Sequence, residues 1–442
     1  MESLPALLQM KTEVIIISNI GASPKITIVV PAYNVEAYLE QCLNSLLYQT
    51  ERNYKIIIVD DGSTDDTACI CKKYVSEAGD MFRYVYQENK GLGAARNKGL
   101  SLVETPYTAF LDSDDCQDIR FVEKFEAFVE RLDFVPDMIF TLPRCYNEAS
   151  HLLEDWMDKP LYDEIFMTGA GIEIKNLNAS ICPKLYLLEV NANRKIYRTA
   201  FLKENGFSFP EGVKWEDIRP HIQLVHLAKS CVALPGTGFI YRMNRAGQIT
   251  AGTGKGRLDI LKVFEDVLDG IYNGYQVSSG ALPSAAFEGK ELSAIMHLIC
   301  NYTIWMIEMT NMEYIQALLE GLHEVFVHIS EKMIFAYSED SEPLSGKAAA
   351  MDDSAETGRG LLAERNKRIG LIRCLRGRDW SQLLCYEDRK NLYRYWSVNG
   401  GKRKNLISGG IQCIRDSGVK YTVKLLFRKA FYAAENFLAK RR

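Results

Sequence analysis

The chain lacks several things that whole protein classes require. No apolar run in its 442 residues approaches the ~20 needed to cross a bilayer, so a spanning protein is not expected. Met1 to Met10 carries Glu2 but no basic n-region, and Val14 to Ile17 is too short for a signal core, so no targeting segment is expected. Its eleven cysteines include no CxxC pair and no Cys/His cluster at zinc-ligand spacing. Cys69 and Cys71 are the close pair, and scattered reduced thiols in a cytoplasmic protein are the expectation. Charge of one sign is missing too. Fifty-three Lys and Arg against 57 Asp and Glu leave a net charge of −4, which gives no global attraction to nucleic acid. There is no internal repeat. What is present is average, 47% apolar and 25% charged, enough for two or three domains with real cores.

From Lys25 to about Phe140 short apolar runs alternate with segments of helical spacing. Ile26 to Val30 is a β-branched run ending at Pro31, the pattern of a strand covered on both faces. Val35, Leu39, Cys42, Leu43 and Leu46 then recur as one helix face. Lys55 to Val59 predicts a second strand, and Ser63 with Asp66 resembles a capping box opening the next helix. Phe82 to Gln87 and Tyr107 to Leu111 predict further strands around a loop and helix over Gly91 to Val103. This alternation predicts an α/β domain with a mostly parallel sheet, in which ligands bind beyond the carboxyl ends of the strands. From about Gly252 the chain turns helical, over Leu258 to Tyr272 and Leu292 to Phe335. The polar stretch Ser338 to Gly360 reads as a flexible linker.

Carboxylates gather at three points: Asp60-Asp61, Asp112-Ser113-Asp114-Asp115 and Trp215-Glu216-Asp217. Three acids within four residues repel one another. Either they form a solvated turn, or a hard cation such as Mg²⁺ or Mn²⁺ sits among them with substrate phosphate. The run ITIVVPAYN, YLEQCLNSLLYQT, YKIIIVDDGSTDDT, ENKGLGAARNKGL and YTAFLDSDD, in that order, closely resembles the catalytic domain of family 2 glycosyltransferases, which have the Rossmann-like GT-A fold. The likeness is tight over residues 25–118 and looser to about 251.

The resemblance implies roles. Tyr33, after Pro31, would stack on a uracil ring, and Asp61 would accept the uracil imide N–H. Asn89 and Arg96 would line the nucleotide pocket. Asp112 and Asp114, with Ser113 between them and Asp115 beside them, match the metal-binding DxD motif. Asp217, next to Glu216, matches the general base that takes the acceptor proton. Tyr241-Arg242-Met243-Asn244-Arg245, running on to Gln248, resembles a loop whose arginines hold a diphosphate; a solvated basic turn is the plain alternative. Asn193 to Arg198 resembles a segment near the acceptor, without an assigned role. The chain also departs from the family: Ile119 stands where proline often follows the DxD strand, Gln248 replaces the usual Ser, and Asp217 runs straight into Ile218-Arg219-Pro220. It lacks the Gln-x-x-Arg-Trp motif of processive members, which implies addition of one or a few sugars.

Weaker signals remain. Gly252 to Gly256 is glycine-rich but does not fit GxxxxGK[ST], so a hinge is expected. The six histidines, His323 and His328 included, do not have metal spacing. Residues 401–442 carry eleven Lys or Arg against Asp416 and Glu435. Within 419–442 an apolar stripe (Val423, Leu426, Phe427, Ala430, Phe437) faces away from Lys420, Lys424 and Arg428. Such a helix either rests on an anionic membrane or packs on its own domain.

The expected layout is an extension (1–24), a GT-A domain (25–251), a helical region (252–337), a linker (338–360) and a basic helical region (361–442). The expected activity is inverting, metal-dependent transfer from a nucleotide-sugar donor, UDP-linked, to a glycan or lipid-linked acceptor. Its place would be the cytoplasm, at the inner face of the membrane. The rival readings are a sugar nucleotidyltransferase and a non-catalytic glycan- or membrane-binding module.

Overall fold

The structure, a computed structural model, describes residues 23–168, 171–172, 174–245, 247–277, 280–281, 287–340 and 368–378. The extension 1–22, most of the linker and the basic stripe of 419–442 lie outside the described residues. All described residues belong to one compact unit, Met1–Asp379.

Nine strands make the main sheet: β1 Ile26–Ala32, β2 Tyr54–Asp60, β3 Phe82–Tyr86, β4 Tyr107–Phe110, β5 Cys116–Gln117, β6 Met138–Asn147, β7 Leu152–Asp155, β8 Lys195–Arg198 and β9 Cys231–Met243. Their order is β3-β2-β1-β4-β8-β6-β9-β5, with β7 on β6. The first four run parallel, and β8 is the antiparallel strand that joins them to the parallel pair β6 and β9. All seven residues of β1 are buried. Ile28 and Val30 face the core formed with Leu39, Leu43 and Leu46 of α1 (Glu36–Leu47). On the other face Val29 meets α3 (Leu92–Leu100), where a Cβ on Gly99 would stand 2.2 Å from Val29 Cγ1. That contact explains a glycine there: the Val29 side chain already fills the space a Cβ would take.

Helix α2 (Thr67–Ala78) begins three residues later than the Ser63–Asp66 capping pattern predicts. The reason is that the intervening turn is used otherwise. Ser63 Oγ accepts from Asn34 N at 3.1 Å, and Asn34 Oδ1 accepts from Thr64 N at 2.8 Å. The turn after β2 is thereby pinned to the turn after β1. Helices α4 (Phe121–Val129), α5 (Lys159–Phe166), α6 (Thr199–Glu204) and α7 (Ile218–Leu227) complete the α/β part.

The helical region holds α8 (Asp259–Asn273), α9 (Gly289–Met309), α10 (Met312–His328) and α11 (Glu331–Glu339). Against the sequence expectation, α9 is long and apolar enough to cross a membrane by length and composition, and among the described residues it is the one such helix. It packs against α11 and the 183–187 turn, with Glu291, Ser293 and Thr303 buried inside protein. His323 Nδ1 lies 2.9 Å from the carbonyl of Leu375, an ordinary structural contact.

Candidate active site

The crevice is organised by α3. Its first turn opens at Gly91, whose N–H donates to Asp61 Oδ2 at 2.8 Å while Lys90 N–H donates to Oδ1 at 2.9 Å. Gln87 Nε2 adds a third bond, at 2.7 Å. Asp61 is buried just past β2, and a carboxylate is favoured where helix N–H groups and the helix dipole converge. Gly93 sits so close to the 209–210 segment that a Cβ would meet the Pro210 carbonyl at 2.0 Å.

Farther along α3, Arg96 is fully buried. It donates to Asp112 Oδ1 at 2.8 Å, Glu216 Oε1 at 2.8 Å and Asp217 Oδ1 at 2.7 Å. Its guanidinium lies 5.3 Å from the Phe209 ring. One cation therefore gathers three acids from two separate loops, and one helix connects them to Asp61.

Burial leaves these acids under-compensated. Burial, with repulsion from Asp217, pushes Glu216 up to about 7 against the pull of Arg96. Burial also raises Asp217, with Arg96 opposing and Asp112 adding to the shift. Asp217 occupies the N-cap position of α7, yet its side chain goes to Arg96 instead of capping. The proline that looks misplaced in the sequence is harmless here. Pro220 falls in the first turn of α7, where its missing N–H has no helical partner to lose.

The remaining DxD residues divide. Asp115 is buried, accepting from Arg242 N at 2.9 Å and Asn193 Nδ2 at 3.1 Å, and burial lifts its pKa well above the ordinary value. Ser113 is buried beside it. Asp114 is partly open and pairs with Arg245; burial and Asp112 raise its pKa, and Arg245 opposes. Arg242 is nearly enclosed. It donates to the Asp114 carbonyl at 2.8 Å and to Gln41 at 2.5 Å, and it pairs with Glu148. Gln248 folds back on its own loop, donating to Tyr241 Oη at 3.0 Å and accepting from Asn244 N at 3.1 Å. Tyr33 has half its surface open, Asn89 is exposed, and Pro31 is buried in β1.

Among the described residues no three His, Cys, Asp or Glu side chains are grouped as a metal cage. Asp112 and Asp114 instead offer two acidic arms of the kind that shares a cation with substrate phosphate.

Some contributors were not legible in the sequence. Ala192 N–H bonds Asp217, and buried Lys195 lies near it, donating to the carbonyls of Glu189, Val190 and Asn191 at 3.0, 2.9 and 2.9 Å. Burial and Arg194 push Lys195 down to about 7 while Asp217 pulls it up. The acceptor-like likeness of 193–198 was the one available signal for this wall. A cavity of about 500 Å³ lined by Asp137, Arg198, His226 and Tyr275 lies where β6 and β9 begin, and holds none of these acids.

Residues 27–161 match the sequence model of glycosyl transferase family 2. Glycosyltransferase GlyA of Streptococcus pneumoniae serotype 4 is 32% identical over 226 residues, which cover 50% of this chain and 31% of GlyA. Glycosyltransferase GlyG of the same organism is 29% identical over 267 residues, 58% of this chain and 84% of GlyG. The chain thus spans about a third of GlyA and most of GlyG. The crystal structure of S. aureus TarS 1–349 in complex with UDP-GlcNAc shares the fold, with a TM-score of 0.55 at 21% identity over 78% of this chain and 92% of that one. The sheet order and the crevice beyond its strand ends define the GT-A class of α/β domain. The likeness to glycosyl transferase family 2 thus lies in the first part of that α/β domain, residues 27–161.

Proposed function

We propose that the chain moves a sugar from a nucleotide diphosphate donor, UDP-linked, to a hydroxyl of a cell-surface glycan or lipid-linked precursor, inverting the anomeric carbon. One observation carries the reading: Arg96 holds Asp217 and Asp112, a proton acceptor and a metal arm, on the same guanidinium. The open ring of Tyr33, the buried Asp61 nearby and the UDP-GlcNAc named for TarS support a uridine donor.

In this reading Asp217 takes the acceptor proton as the hydroxyl oxygen attacks the anomeric carbon. The bond from that carbon to the diphosphate oxygen breaks, and its electron pair stays with the diphosphate. Burial raises the basicity of Asp217, and Arg96 opposes that shift. Asp112 and Asp114 would hold Mg²⁺ or Mn²⁺, which neutralises charge on the departing diphosphate. Their repulsion and their present arginine partners fit a site built for positive charge. Peripheral attachment at the inner membrane face, through 419–442, belongs to the same proposal and rests on the sequence pattern alone.

The test is a panel of nucleotide sugars screened by thermal shift with Mn²⁺, followed by acceptor assays. A UDP-sugar should raise the melting temperature through binding to the native state. Full transfer in chelator would overturn the metal role, and pyrophosphate release from a nucleoside triphosphate would favour nucleotidyl transfer.

A further inference from the structure

The turn that presents Asp217 is strained and braced from outside the α/β part. Trp215, two residues before it, has φ +67°, a left-handed conformation that an aromatic L-residue adopts only when its surroundings enforce it. Two groups of the 255–259 segment supply the enforcement. Asp259 Oδ2 accepts from Lys214 N at 3.1 Å, and the guanidinium of Arg257 lies 5.2 Å from the Trp215 ring.

Arg257 is buried and does more than cover that ring. It also lies 4.7 Å from Trp305 of α9, and the two indoles pack edge to face at 5.1 Å. Its Nη2 donates to the Thr250 carbonyl at 2.8 Å, and its Nε donates to the Gly252 carbonyl at 2.7 Å. Those carbonyls close the loop that carries Arg242, Arg245 and Gln248. The glycine-rich stretch 252–256 lets the chain fold back so that Arg257 reaches them.

We infer that Arg257 is a positioning residue: by stacking on Trp215 and holding the 250 and 252 carbonyls, it ties the Asp217 turn to the arginine loop. The helical region, through Trp305, is the backing plate of that tie. A lysine could keep the charge but neither the plane nor the two directed bonds. The inference rests on the reading of Asp217 as the base only for its effect on rate; the tie between the two segments stands without it.

The test compares the full chain with Arg257→Met and Trp305→Phe, by hydrogen–deuterium exchange and by UDP release from UDP-GlcNAc. In Arg257→Met, exchange should rise at least about tenfold in 213–217 and in 248–253 together, with Ile26–Ala32 unchanged. Trp305→Phe keeps an aromatic face and should leave both segments near their original protection. UDP release should lose about 10–10²-fold in kcat with little change in KM, as expected when a reacting group is displaced. Faster exchange in one segment alone, or in neither, overturns the tie. An unchanged kcat, with Asp217→Asn inactive, overturns its role in positioning. Retained turnover in Asp217→Asn would sink the base reading instead, and exchange alone would then decide. Should Arg257→Met unfold, Arg257→Lys is measured against the same outcomes.

Discussion

The start and the middle of one helix handle negative charge in opposite ways. At the start of α3, Asp61 is satisfied by two backbone N–H groups and a glutamine amide, all neutral donors. At Arg96, three carboxylates share one positive charge. Neutral donors fix a carboxylate in place and leave its charge to the local field. A crowded guanidinium leaves net negative charge beside open crevice, where a proton or a divalent cation is attracted. The first arrangement suits recognition, the second chemistry.

The sharpest way to break that contrast is Asp217→Asn. Transfer should fall by about 10²–10⁴ while thermal shift by the donor persists. Next comes Arg96→Gln, which leaves buried Glu216 and half-buried Asp112 and Asp217 without their shared cation. Stability at neutral pH should drop by about 3–5 kcal/mol in denaturant melts. In that variant the Asp217 carboxyl pKa rises further, so the acidic limb of the rate profile moves to higher pH. A smaller effect tests Glu216. Its folded pKa of about 7 lies above the ordinary 4.5, so the native state holds a proton that the unfolded state has released. Its contribution to stability therefore weakens as pH rises between those values, by an amount on the order of 1–3 kcal/mol. Glu216→Gln should flatten that slope, and an unaltered slope would refute the shift. The smallest change is expected on the recognition side. Tyr33→Ala should weaken donor binding by about 0.5–1.5 kcal/mol, read by calorimetry, with kcat little affected.

Much of this was legible in the sequence because strand-end motifs are local. VDDGSTDDT and FLDSDD place acids at the carboxyl ends of β2 and β4 wherever those strands pair, and β-branched runs predict the pairing. The start of α2 was not legible, because Ser63 is claimed by Asn34, 29 residues away in the chain but in the turn after the neighbouring strand. The partners of Arg96 were hidden for the same reason. A sequence shows an arginine in GLGAARN; it does not show that Glu216 and Asp217, 120 residues on, close over it. Arg257 was least visible of all, standing one residue past a glycine-rich stretch and outside every motif. Its role depends on two tryptophans from different elements, which no periodicity links.

The bare glycines of α3 have a mechanical consequence. With Gly99 against a strand and Gly93 against a passing carbonyl, the helix has no clearance to roll or slide. Arg96 is thus aimed by the frame of the domain, and the free space that a ligand would need lies at the rim, where Tyr33 and Asn89 are exposed. Alignment of the acids and contact with an incoming molecule are in this way assigned to different parts of the crevice.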